Sequence, residues 1–295
     1  MAALYLAACA AGARQHGADA ADVPAPLSRA ADAAMLLVPA GAYVAGSTAE
    51  ERAQAYADAE RSAGDARARR GRWFEREEER HPATLAHAVR LDRTLVTNGA
   101  YAEFVAATGH AAPFIDEAGW QRQGYVQDYA REVRRFLWHD RRPPAGRALH
   151  PVLLVSHADA AEYCAWRGRL VGAARRLPSA AEMEKAMRGE AGRVYPWGDA
   201  WDGTRLDWAG APGGPADTEA VGAHPDGAGP YGHVDLAGEA FTWTSTPFPY
   251  RRGEYTVKGS AWDDHAGVGR GAARHGRPAG VHHAIVGFRC AGDAP

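Results

Sequence analysis

Apolar positions recur along this chain at two periods, and the switch between them divides it. Met35-Leu36-Leu37-Val38-Pro39 and Ala42-Tyr43-Val44-Ala45-Gly46 are short apolar runs bounded by Pro and Gly, the pattern of strands. Ala88-Val89-Arg90-Leu91 reads as a third. Thr97-Asn98 is a natural N-cap pair, and Tyr101, Phe104 and Val105 then fall on one helical face that stops at Gly109. A second helix opens at Ser156, whose hydroxyl can cap the amides near Asp159, and it buries Ala160, Tyr163 and Cys164. A third opens at Ser179, with Glu182 three residues on as a capping box and Met183, Ala186 and Met187 on its inner face. Beyond Gly189 the helical period vanishes. Tyr195-Pro196-Trp197-Gly198-Asp199 and the stretches 232–243, 256–262 and 286–290 read as short strands and turns. The pattern predicts an α+β domain, with a few helices on short twisted strands and much irregular backbone.

Two segments interrupt it. From Thr48 to Arg80 the chain is dominated by Ala, Arg and Glu with Gly64 in the middle, which predicts an exposed helical insertion kept soluble by its charges. Residues 113–150 form an Arg- and aromatic-rich insertion anchored by Phe136, Leu137 and Trp138 and ended by Pro143-Pro144. It could be a lid presenting Trp138 and Arg134-Arg135 to a partner, but local packing is the simpler reading. Residues 1–32 are Ala-rich and read as a leader or tether, so the domain is expected over 33–295. Leu6-Ala7-Ala8-Cys9 resembles a bacterial lipoprotein cleavage box. It implies export only if the true start lies upstream of Met1; otherwise the expectation is a cytoplasmic protein.

A formal charge of −2 argues against nucleic acid or an anionic membrane as partner. No stretch approaches the ~18 apolar residues of a membrane helix. Cysteines at 9, 164 and 290 form neither a disulfide framework nor a zinc-site spacing. Cys164 and Cys290 are expected to be small, buried apolar side chains.

Several segments, in order, resemble the formylglycine-generating enzyme, or sulfatase-modifying factor, family. They are 35–41 with 44–47, Val96-Thr97-Asn98 with Tyr101 and Phe104, and His150-Pro151-Val152 with 155–166. Arg176-Leu177-Pro178-Ser179-Ala180-Ala181-Glu182-Met183-Glu184-Lys185-Ala186 is the closest match. Tyr195-Pro196-Trp197-Gly198, 232–243, 258–262, Ala272-Ala273-Arg274 and Gly287-Phe288-Arg289-Cys290-Ala291 follow. The resemblance implies a variant of the C-type lectin-like fold with little regular secondary structure. In the oxidase members two cysteines after the Gly-Ser segment bind Cu(I) and activate O₂.

Here that segment reads Ala261-Trp262-Asp263-Asp264-His265-Ala266-Gly267-Val268-Gly269-Arg270, without a cysteine. A Cu(I) dithiolate site, and with it formylglycine generation, is therefore not expected. Asp263, Asp264 and His265 occupy the family's active-site loop, and Arg274, His275, His282 and His283 follow in what resembles the floor of the substrate groove. Asp263, Asp264, His265, Arg274 and His275 are the candidate catalytic residues. Trp262, Arg274, His282 and His283 are the candidate substrate contacts. Asp264 and His265 could hold Fe or Cu, or act as an acid–base pair. The plain alternative has the aspartates satisfying loop amides and His282-His283 as an exposed pair.

The family's structural Ca²⁺ implies ligands at Asp235, Gly238 and Ala240, although Thr242 stands where the family usually has a Glu. The broader superfamily resembles this chain in ergothioneine sulfoxide synthases and a pyoverdine-maturation protein. The expectation is a metal- or O₂-dependent oxidase acting on a peptide or small molecule. The alternative is a non-catalytic lectin-like module that binds a peptide, glycan or protein.

Overall fold

The computed structural model describes residues 27–125, 127–211 and 217–294, so Cys9 and its surroundings lie outside the described residues. The first half of the chain carries α1 (Leu27–Ala33), β1 (Leu36–Val38), β2 (Gly41–Ala45), α2 (Ala49–Ala63), α3 (Arg67–Arg70), β3 (His81–Leu85) and β4 (Val89–Leu91). Next come α4 (Asn98–Thr108), α5 (Glu117–Arg122), α6 (Tyr129–Glu132), α7 (His157–Val171) and α8 (Ala180–Arg188). The last third is stranded: β5 (Phe241–Pro247), β6 (Glu254–Lys258), β7 (His275–Pro278), β8 (Val286–Gly287) and β9 (Ala291–Asp293). Three small sheets result, ordered β1-β4-β9, β2-β3 and β7-β6-β5-β8. The chain is α+β as the pattern predicts.

The helices start where side chains can satisfy their free amides. Thr97 accepts from the Ala100 N–H to open α4, which ends at Gly109 in the left-handed region with φ 77°. Ser156 with Asp159 and Ser179 with Glu182 form reciprocal capping boxes on α7 and α8. Tyr101, Phe104, Tyr163 and Phe288 pack ring against ring in the main core. A smaller core gathers Val38, Tyr43, Leu91, Met183, Met187 and Leu236. No described helix is long and apolar enough to cross a membrane.

Three expectations need correction. The leader does not run to residue 32, because α1 is folded onto α4 and α7. Its anchors are polar and so invisible to an apolar pattern: Ser28 Oγ meets the Tyr163 hydroxyl at 3.0 Å, and Asp32 takes the Arg175 guanidinium at 2.6 Å. Cys164 and Cys290 are buried as expected, but they are joined in a disulfide. Their Cα atoms lie 5.5 Å apart because α7 packs beside the terminal strand, and spacing alone could not show that. Closing a loop of 126 residues is worth about 4–5 kcal/mol through the unfolded chain. The 48–80 insertion, finally, is exposed only on its outer side. Ala55, Tyr56, Ala59 and Phe74 are buried.

Beside the disulfide, Arg167 of α7 is fully buried and donates to both oxygens of Asp92, at 2.7 and 3.0 Å. Asp92 also accepts the Cys290 N–H at 2.8 Å. Arg289 donates to the carbonyls of Arg93, Val234 and Asp235. Removing one partner of a buried ion pair strands the other charge. Asp92→Ala should therefore cost about 3–5 kcal/mol in chemical denaturation. A loss below about 1 kcal/mol, the range of surface pairs, would show that Arg167 finds water or Asp32 instead.

Candidate functional site

The loop 259–274 joins β6 to β7 and is fixed from three sides. From below, Lys258 is buried, donates to the Gly271 carbonyl at 2.7 Å and pairs with Glu184 at 3.2 Å. Burial lowers its pKa despite that partner. Ser260 Oγ accepts the Gly238 N–H at 2.8 Å. From above, α2 lies so close that a Cβ on Gly267, where φ is 94°, would meet the Ala55 carbonyl at 2.5 Å. Only glycine fits there. From the side, Arg270 forms a buried pair with Glu77. The 48–80 insertion is thus a structural cover for this loop, and its charges do more than confer solubility.

Trp262 is in the core. Its backbone N–H donates to Glu239 O at 3.1 Å, its ring N–H donates to Ala284 O at 3.0 Å, and the Arg135 guanidinium sits 4.6 Å above the ring. Asp264 uses Oδ2 to accept the Ala261 N–H at 2.8 Å, while its carbonyl accepts the Ala209 N–H. Asp263 Oδ1 is sealed from solvent with no hydrogen-bond partner. Burial raises the pKa of both carboxyls, and for Asp264 the Asp263 charge raises it further. Arg277 pulls both back down, and Glu132 and Arg135 are the other charges acting on Asp263. His265 Nδ1 is buried without a partner, and burial, then Arg67, holds its imidazole below the usual range.

The remaining candidates are spent on structure. Arg274 donates to Arg76 O and to Glu78, both at 2.7 Å. His275 stands edge-on to Trp73 and Phe241, and burial, with Arg277 next, pushes it down to about 3. His282 donates from Nδ1 to Leu154 O at 2.8 Å. His283 is not the exposed half of a pair. It is 3% exposed and caged by Trp120 and Tyr125 with ring centroids at 4.9 and 4.1 Å. These two aromatics come from the 113–150 insertion, which therefore packs against the 262 and 282–283 region, while its Trp138 donates to Asn98 at 3.1 Å.

The structure thus brings Asp263 and Asp264 together and disperses the rest. Arg277 and Glu132 escaped the sequence reading. Arg277 is three residues beyond the Ala-Ala-Arg match, and Glu132 sits in an insertion whose charges alternate in sign.

The Asp235–Thr242 turn is more acidic than the sequence reading allowed. Asp235 accepts the Gly222 N–H with both oxygens, at 3.1 and 2.9 Å, and Glu239 accepts the Glu219 N–H. A Cβ on Gly238 would lie 2.5 Å from Asp207 O, which brings Asp207 against the turn. Its Oδ2 is buried without a partner. Burial raises Asp235, Glu239 and Asp207, the last to about 7, and neighbouring carboxylates add to the rise in Glu239 and Asp207. Asp235 and Glu239 are themselves held at φ 53° and 60°, a strained backbone for non-glycine residues. The set suits a hard cation. Among the described residues, however, no three His, Cys, Asp or Glu side chains converge as a metal-holding group. Calcium here would lean on carbonyl oxygens as well, and Asp264 with His265 gathers no third ligand.

Known proteins share this plan. The model of the "Sulfatase-modifying factor enzyme 1-like domain" matches residues 20–294. The mouse protein called inactive C-alpha-formylglycine-generating enzyme 2 is 36% identical over 161 residues, which span 49% of this chain and 49% of that protein. The formylglycine-generating enzyme of Streptomyces coelicolor is 31% identical over 270 residues, with 72% of this chain and 82% of that protein covered. Among solved structures, PvdO from Pseudomonas aeruginosa superposes with a TM-score of 0.65 at 20% identity, covering 88% of this chain and 94% of that one. At that identity the likeness concerns the fold.

A carboxyl raised above its free value stabilises the fold while the unfolded chain would still hold its proton, and this is lost as pH rises through the folded value. For Asp207 the loss is complete above about 7. The depressed His275 and His233 act oppositely, but only below their ordinary 6.5. In chelator, the Asp207 contribution to Tm should therefore fall as pH is raised towards about 7 and be gone above it. Asp207→Asn should flatten that fall. An unchanged slope would mean that Asp207 is ionised throughout.

Proposed function

Because the chain belongs to the sulfatase-modifying factor enzyme 1-like family, we propose that it is a formylglycine-generating-enzyme-like protein that works by acid–base chemistry at the 262–265 loop. Its substrate on this reading is a peptide or small molecule. The supporting observation is Asp263 Oδ1, sealed and unpartnered beside Asp264. Two adjacent carboxyls withdrawn from water keep one proton between them near neutral pH. Asp264, raised by burial and then by the Asp263 charge in spite of the Ala261 amide, is the member that holds it. Asp263 is then the base that takes a proton from bound substrate, with Arg277 favouring its ionised form. A base poised near working pH is what proton transfer requires.

No step is routed through a metal, because Asp264 and His265 gather no further ligand. Calcium at this turn would be held by Asp235 together with backbone oxygens such as those of Gly238 and Ala240, rather than by three carboxylates, and would stiffen the backbone on which Trp262 rests. Metal analysis of the purified protein tests both points. Near-stoichiometric calcium is expected, unchanged in a variant carrying Asp264→Ala and His265→Ala. Stoichiometric iron or copper in wild type, lost in that variant, would sink the acid–base reading.

The shared proton has its own signature. Infrared difference spectra near pH 7 should show a protonated-carboxyl band that Asp264→Asn abolishes. A band indifferent to that change would leave the pair without a proton to transfer.

The second reading is a non-catalytic binding module, favoured because Trp262, Arg274, His275 and His283 are all tied into packing or internal hydrogen bonds. A related protein named inactive points the same way. The two readings part on a ligand found by screening: an enzyme loses turnover in Asp263→Asn while keeping its affinity.

A further inference from the structure

The inner stripe of α2 borders a second, separate space. Glu50, Glu51, Gln54, Ala55 and Asp58 follow one another at helical spacing along one face. Across from them lie Val194, Tyr195, Asp199, Ala200 and Trp201, enclosing a cavity of about 520 Å³. That volume is within the usual range for small-ligand sites.

We propose that this cavity binds an organic cation, an alkylammonium group carried by a small amine or by a lysine side chain.

Aromatic rings form one wall. Tyr195 stacks on Trp197 at 5.3 Å and 6°, and Trp201 meets Tyr195 edge-on at 5.5 Å. Trp208 braces Trp201 from behind at 5.1 Å, so the rings are held in place before any ligand arrives. The face of such a ring attracts a desolvated cation.

Charge decides the sign of the guest. Arg270 is the one cation among the lining residues, and Glu77 neutralises it. Of the acids, Glu51 is paired with Arg80 at 2.6 Å. Asp58 takes Gln54 and Arg61 on a single oxygen, Oδ1, each at 2.9 Å, and Arg61 is itself largely exposed. Asp199 accepts only the Val194 amide, and Glu50 stands at the exposed rim. Burial, and after it the charge of Asp58 across the cavity, raises the Tyr195 hydroxyl above the usual phenol range, against the pull of Arg270. Negative charge therefore remains in surplus against aromatic surface. An anion has nothing to pair with, and no three carboxylates converge as a bare metal ion would require. A cation that is partly apolar satisfies both walls. None of this uses the Asp263–Asp264 pair, so it stands apart from the acid–base reading.

The test is calorimetry on the full chain, backed by tryptophan fluorescence, with pentylamine, N-acetyl-lysine methylamide and pentanol as probes. One saturable site for an amine is expected, weakened by salt and absent for pentanol. Asp58→Asn and Trp201→Ala should each weaken it about tenfold. Glu50→Gln at the rim should weaken it less, and it guards against a variant that fails to fold. Tighter binding of the lysine derivative would point to a peptide, and equal binding to a free amine. The proposal is overturned if neither amine saturates at millimolar concentration, if pentanol binds as well, or if affinity survives both substitutions in folded protein.

Discussion

The buried pair of Arg167 and Asp92 is the constraint on which the remaining architecture rests. Neither charge is reachable by water, so each is tolerable only while the other is in place. Asp92 closes β4, Arg167 lies on α7, and the Cys290 amide that also binds Asp92 opens into β9. One carboxylate therefore sets the distance between helix and sheet, and it brings Cys290 within bonding reach of Cys164. Arg289 continues the connection into the 234–235 carbonyls, the acidic turn and, through Ser260 and Gly238, the candidate site loop.

That chain of contacts explains why the site loop carries so little freedom. Lys258, Gly267 and Arg270 are each held by a different element. The side chains that would be functional in an open groove are packed against one of the two insertions. Around the site loop, buried atoms with unmet hydrogen-bonding capacity include a carboxylate oxygen on Asp263, ring nitrogens on His265 and His275, the Arg277 Nε and a carboxylate oxygen on Asp207. Buried polar atoms without partners are costly, and functional sites are where such costs are found.

Local signals in the chain were legible wherever the physics is local. The α4, α7 and α8 starts were readable because a capping side chain and its amide are three residues apart. The family motifs placed 262–265 at the site, and the missing thiols were plain. Other features depend on pairing across the fold. β3 and β7 lack a run of apolar residues and exist because β2 and β6 present hydrogen-bonding edges to them. Stretch 232–243 read as short strands and turns, but where the turns fall was not legible: Asp235, Gly238 and Glu239 adopt left-handed backbone, and β5 begins only at Phe241. His283 looked exposed beside His282 because its cage of Trp120 and Tyr125 comes from about 160 residues away. The disulfide was hidden for the same reason.

The link between Cys164 and Cys290 also orders events in the making of the protein. Synthesis runs from the N-terminus, so α7 leaves the ribosome with its thiol free while 126 further positions are still to come. During that interval Cys9 is a thiol already made in the same chain. The native partner appears only after β5 to β8 have been made, as does β9, which completes the β1-β4-β9 sheet. Correct pairing thus needs an oxidant that acts after Cys290 has been made. A nascent chain oxidised too early has the wrong cysteine at hand.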